Sequence, residues 1–129
     1  MKILVLDDHD GFRQEIIHIL KKNGHVADGV ETAEATIPLV ESGEYDFVLT
    51  DYNMPVHDGL WFVEHVKKPS HTKFLMMTAQ NNIYVVLEMM RAGGHGYIIK
   101  PFDEKSLLHH LDFYANDTES TLMASGGSR

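Results

Sequence analysis

Asp51 stands just beyond an apolar run, Phe47-Val48-Leu49, and Pro55 and Asp58-Gly59 break the extended chain soon afterwards. A carboxylate placed where a buried strand gives way to a turn is free for chemistry, although an aspartate there also serves as a turn or helix cap. Four other polar residues occupy comparable places. Asp7-Asp8 follow Ile3–Leu6, Thr78 follows Phe74-Leu75-Met76-Met77, and Lys100-Pro101 follow Tyr97-Ile98-Ile99. Singly, Asp7 and Asp8 read as caps, Thr78 as a strand residue and Lys100 as a solvated lysine. Jointly they have a chemistry, provided the fold brings them to one edge.

The carrying elements alternate. Ile3–Leu6 is a strand, followed by a helix from Asp10 to Asn23 with Phe12, Ile16, Ile19 and Leu20 at helical spacing and Gly24 as its stop. His25–Val30 is a weaker strand. Thr32 caps a second helix through Ser42, with Ile37, Val40 and Ala33 inward, and Pro38 kinks that helix or delays its start. Phe47–Leu49 is the third strand, buried on both faces. Leu60–Lys68 is a third helix with Val63 and Val66 inward, stopped by Pro69, and the short Lys67–Thr72 loop shortens it. Lys73–Thr78 is a strand and Asn82–Ala92 a helix carrying Ile83, Val86, Leu87 and Met90. Tyr97–Ile99 is the fifth strand. Asp103 caps the last helix, whose stripe is Leu107, Leu108, Leu111 and Tyr114. Residues 1–115 form one domain, and 116–129 a small, polar tail or linker start.

Five strands alternating with five helices imply a (βα)5 fold, α/β in class, with a doubly wound parallel sheet in the flavodoxin-like order 2-1-3-4-5. Its switch point lies between the first and third strands, which sets Asp7 and Asp8 beside Asp51. Three carboxylates at one edge repel unless a cation sits among them, and an oxygen-rich, water-retaining site suits Mg²⁺. A lysine opposite adds a mobile positive charge and a threonine adds a hydroxyl donor. That set is an electrostatic cradle for a phosphoryl group passing to Asp51.

With Asp7-Asp8, Asp51-Tyr52-Asn53-Met54-Pro55, Asp58-Gly59, Thr78-Ala79 and Tyr97-Ile98-Ile99-Lys100-Pro101-Phe102 in place, the chain resembles the receiver domains of bacterial response regulators, including the single-domain chemotaxis type. The likeness spans about Met1 to Ala115. It implies that Asp51 is the phosphoacceptor, that Asp8, Asp51 and the Asn53 backbone carbonyl ligate Mg²⁺, and that Asp7 acts through water. It implies that Thr78 and Lys100 bind the phosphoryl oxygens, that Tyr97 changes rotamer on activation, and that the Lys100–Pro101 peptide is cis. It also implies a sensor histidine kinase or phosphotransfer protein as donor, and an output partner on the face of the fourth helix, fifth strand and fifth helix. In the family, the positions of Asn53 and Gln80 flank the phosphoryl group; both are neutral amides that orient water without acting as bases.

Composition narrows the alternatives. With 129 residues, 43% hydrophobic and 23% charged, the chain suits one soluble domain. A net charge of −8 without a Lys/Arg-rich stretch argues against direct nucleic-acid or anionic-membrane binding. No signal-peptide pattern or membrane-length apolar run occurs, so a cytoplasmic location is expected. Cysteine is absent, and the nine histidines form no zinc signature, although His9 and His57 near the acidic edge could tune Mg²⁺ affinity. Met89 or Tyr84 is the candidate anchor for a partner helix, against incidental surface. Two rival functions stay open beside a non-enzymatic signalling switch. A Mg²⁺-dependent phosphohydrolase with an aspartyl-phosphate intermediate needs an acid where Asn53 stands, and a cap domain. A flavodoxin-like cofactor module needs a phosphate loop where Asp7-Asp8-His9-Asp10 would repel one.

Overall fold

The computed structural model describes residues 1–79 and 83–116; Gln80, Asn82 and the tail beyond Asn116 lie outside the described residues. The chain alternates β1 (Lys2–Leu6), α1 (Asp10–Lys22), β2 (Val26–Val30), α2 (Ala33–Glu41), β3 (Phe47–Asp51), α3 (Gly59–His65), β4 (Lys73–Thr78), α4 (Ile83–Arg91), β5 (Gly96–Ile99) and α5 (Glu104–Ala115). The strands form one sheet in the order β2-β1-β3-β4-β5, every neighbour parallel. Among the described residues no helix is long and apolar enough to cross a membrane.

Strand residues alternate between two cores because successive side chains leave a strand on opposite faces. Ile3, Val5, Phe47, Leu49, Leu75 and Met77 join Ile16, Ile17 and Leu20 of α1 and Leu107 and Leu111 of α5. Leu4, Leu6, Val48 and Phe74 join Ala33 and Val40 of α2 and Phe62 and Val63 of α3. Burial on both faces explains the unbroken apolar runs of β1, β3 and β4.

Side-chain caps start the helices. The rings or carboxylates of His9, Asp58 and Asp103, and the Thr32 hydroxyl, accept from backbone amides of the first turns of α1, α3, α5 and α2. The α2 helix begins at Ala33 and passes through Pro38, so the proline does not delay its start.

Two helices depart from expectation. The α3 helix stops at His65, with Val66 extended (φ −78°, ψ 140°) yet still buried. Lys68 precedes a proline and is disfavoured in helical conformation, while the Lys67 amide donates to Glu41 Oε2 at 2.9 Å. In α4, Met89 is the buried residue, at 1% exposure, not an exposed anchor. Its thioether lies where any Cβ on Gly94 would fall. Ile83, Leu87, Met90 and Tyr84 are exposed, Tyr84 at 76%.

Candidate functional site

Beyond the carboxyl ends of β1 and β3 the connections leave in opposite directions, and that crevice is where ligands gather in open α/β sheets. Asp7 follows the last residue of β1, and its amide continues the ladder by donating to the Val30 carbonyl at 3.1 Å. Asp51 ends β3. One oxygen from each of Asp7, Asp8 and Asp51 lies within 4.8 Å of the others. Asp7 and Asp51 are buried and Asp8 is exposed, so the cluster has a wet rim and a dry floor.

Lys100 spans that floor. Its Nζ donates to Asp51 Oδ1 at 2.9 Å and reaches Asp7 Oδ2 at 3.4 Å. The lysine is placed by β5, whose neighbour β4 accepts the Lys100 amide on the Thr78 carbonyl at 2.8 Å. The Lys100–Pro101 peptide is cis. The Nζ also sits over the Phe12 ring, 4.4 Å from its centroid. Three carboxylates against one ammonium leave two negative charges unbalanced, which a divalent cation on oxygen ligands answers.

The electrostatics agree. Burial pushes the Asp51 carboxyl above an aspartate's ordinary 3.8, the Lys100 hydrogen bond pulls it part of the way back, and the charges of Asp7 and Asp8 push it up again. The fold thus holds the Asp51 carboxylate at a cost that a cation placed among the three carboxylates would relieve.

Other expected residues fall around this centre. Buried Thr78 ends β4, next to Met77, which pairs in register with Asp51. Asn53 lies two residues beyond Asp51, on the exposed rim. Half-buried Tyr97 is removed from the carboxylates, in register with Met76, and lines a groove of about 370 Å³ with Ile99, Ser106, His110 and Tyr114. His9 caps α1, its Nδ1 accepting the Phe12 amide at 3.0 Å. His57 stacks on Trp61 at 3.7 Å, and His65 stacks on the same indole at 4.3 Å.

Two contributors, Arg13 and Phe12, were not foreseen in this place, and Gly59, expected in the turn, has a further reason to be glycine. Arg13 is buried, donating Nη1 to the Asp7 carbonyl at 2.7 Å and Nη2 to Asp10; the Asp10–Arg13 spacing, one helical turn, was the available signal. Gly59 is needed because a Cβ there would overlap the Asp51 carbonyl oxygen and lie 3.1 Å from Tyr52 Cα. Phe12 was expected only as core.

A doubly wound α/β domain with an acidic triad and a lysine at its switch point is the class so defined. The response regulator receiver domain model matches residues 3–112, and the chain belongs to that family. Chemotaxis protein CheY-3 of Vibrio cholerae is 34% identical over 119 residues, 87% of this chain and 89% of that protein. Chemotaxis protein CheY of Pseudomonas aeruginosa is 33% identical, covering 87% of this chain and 94% of that protein. Among solved structures, CheY4 of Vibrio cholerae superposes with a TM-score of 0.82 at 28% identity, covering 88% of this chain and 97% of that chain. The non-phosphorylated HemR receiver domain of Leptospira biflexa gives 0.81 at 26% identity, covering 92% and 96%.

Proposed function

We propose that this receiver domain is a phosphoacceptor switch, taking a phosphoryl group on Asp51 from a phosphohistidine of a sensor histidine kinase or phosphotransfer protein. The observation that supports this most is the Lys100 Nζ–Asp51 Oδ1 contact of 2.9 Å inside the carboxylate triad. A nucleophile, its counter-charge and an oxygen site for a cation share one crevice. The side chains of Asp8 and Asp51 and the carbonyl of Asn53 would hold Mg²⁺, with Asp7 acting through water. When bound, Mg²⁺ supplies positive charge that neutralises the phosphoryl oxygens and lets two anions approach.

In the transfer, an Asp51 carboxylate oxygen attacks phosphorus as the phosphorus–nitrogen bond of the donor breaks. The leaving imidazole keeps the electron pair and takes its proton from solvent. Lys100 moves from the carboxylate to a phosphoryl oxygen, and the Thr78 hydroxyl donates to another. Hydrolysis reverses the state: water attacks phosphorus, the bond to Asp51 breaks, and carboxylate and inorganic phosphate remain. The domain assists both steps yet acts as a signalling element and not an enzyme on an outside substrate.

Thr78 drawn toward the phosphoryl group vacates space into which Tyr97 swings, reshaping the face of α4, β5 and α5 for an output partner. The domain spans residues 1–115 with a tail or linker start from 116 to 129. It works in the cytoplasm, without direct nucleic-acid or membrane binding. If phosphorylated Thr78→Ala still bound a partner differently from its unphosphorylated form, the switch route would be wrong.

Incubation with Mg²⁺ and a small acyl phosphate tests the whole reading. The expected product is a stoichiometric, base-labile phosphoryl adduct that Asp51→Asn lacks. Multiple turnover of an added phosphomonoester would instead indicate a phosphohydrolase, and co-purifying flavin absorbance a cofactor module.

A further inference from the structure

The Lys100 ammonium has a neighbour that the chemistry above does not use. Its Nζ lies over the Phe12 ring at 4.4 Å from the centroid, well within the roughly 6 Å over which a cation is drawn to a ring face. Phe12 is itself fixed from two sides. Its amide donates to His9 Nδ1 at 3.0 Å in the first turn of α1. Its ring meets Phe102 edge-on, with centroids 5.7 Å apart and planes at 72°. Phe102 follows Lys100-Pro101, so the segment that carries the ammonium also braces the ring beneath it.

A lysine on a four-carbon stem is strongly hydrated and loses much freedom when held in one place. Here its side chain is 23% exposed, and the nearer of its polar partners, Asp51 at 2.9 Å against Asp7 at 3.4 Å, is the group whose charge changes in the reaction. On phosphoryl transfer Lys100 must leave the Asp51 oxygen for a phosphoryl oxygen. A carboxylate anchor would resist that shift, because its hydrogen bonds are directional. A ring face attracts the cation without a directional bond and lets it slide while remaining over the ring.

We propose that Phe12 is a positioning residue for phosphoryl transfer, its ring face holding the Lys100 ammonium against the site before and after Asp51 is modified. This inference rests on the phosphoacceptor reading of Asp51. The test uses the full chain with phenylalanine at position 12 replaced, at that position alone, by mono-, di- and trifluorinated phenylalanine. Fluorination keeps the ring's shape while draining the negative charge from its face. The rate of adduct formation from a small acyl phosphate with Mg²⁺ is expected to fall stepwise across the series, by about 2- to 30-fold in total, the span of known cation–ring attractions. Phe12→Trp is expected to keep or exceed the wild-type rate and Phe12→Leu to lose as much as the trifluorinated ring. A flat series on a chain whose wild type forms the adduct normally would overturn the role of Phe12 alone. No adduct on the wild type would overturn the phosphoacceptor reading and this inference with it.

Discussion

Single residues around the crevice carry opposite kinds of strain. Gly59 is there because backbone leaves no space: a methyl group would drive into the Asp51 carbonyl, and backbone yields less readily than a side-chain tip. Gly59→Ala is expected to lower stability by about 1–3 kcal/mol in urea unfolding. Val56 is the reverse case. It sits at φ 70° in a tight turn closed by the His57 amide on the Pro55 carbonyl at 2.9 Å. A β-branched residue in that region is strained by about 1–3 kcal/mol, whereas glycine adds roughly 0.4–1 kcal/mol of unfolded-state entropy. Its side chain is 88% exposed and has little packing to lose. The strain outweighs the entropy, so Val56→Gly is expected to raise the unfolding midpoint by the equivalent of about 1 kcal/mol. The strand-end residues Asp7, Asp51, Thr78 and Lys100 were legible because each interrupts an apolar run. Phe12 and Arg13 were not. A phenylalanine at helical spacing reads as core, an arginine reads as surface, and nothing local ties Phe12 to a lysine just beyond β5.

Elements were legible where polar residues mark a face and less so where none do. The α1 and α5 helices carry charged residues opposite Ile16, Leu20, Leu107 and Leu111, and those side chains are buried as expected. The α4 helix reads Ile83-Tyr84-Val85-Val86-Leu87-Glu88-Met89-Met90-Arg91, apolar nearly all round, so period alone cannot choose its inner face. Packing under Gly94 selects Met89. Met89→Ala is expected to destabilise by about 2–5 kcal/mol, whereas Tyr84→Ala on the exposed side stays within about 0.5 kcal/mol, both read from urea midpoints. The end of α3 was off by several residues because a tertiary bond, Lys67 N–H to Glu41, takes an amide that a longer helix would have used.

At the scale of the molecule, topology was the most legible feature. Parallel strands joined by right-handed crossovers admit few orders, and the order found sets β1 against β3. The consequence is a site that opposes its own apo fold. The folded state holds the Asp51 proton more tightly than the unfolded chain does. Stability contributed by Asp51 therefore falls as pH rises from its ordinary 3.8 through its raised value, and is level above that. Thermal unfolding without Mg²⁺ is expected to show wild type losing stability relative to Asp51→Asn across that window. Mg²⁺ above it should restore wild type by mass action, about 2.7 kcal/mol at a hundredfold excess over Kd, and restore Asp51→Asn far less. The most direct measurement on the central claim is the address of the phosphoryl group. Borohydride reduction of the adduct converts an aspartyl phosphate to homoserine, which peptide sequencing by mass spectrometry locates. The account requires homoserine at position 51, formed with Mg²⁺ and absent when the metal is chelated; homoserine at position 7 or 8 instead, or equal reduction without metal, would contradict it.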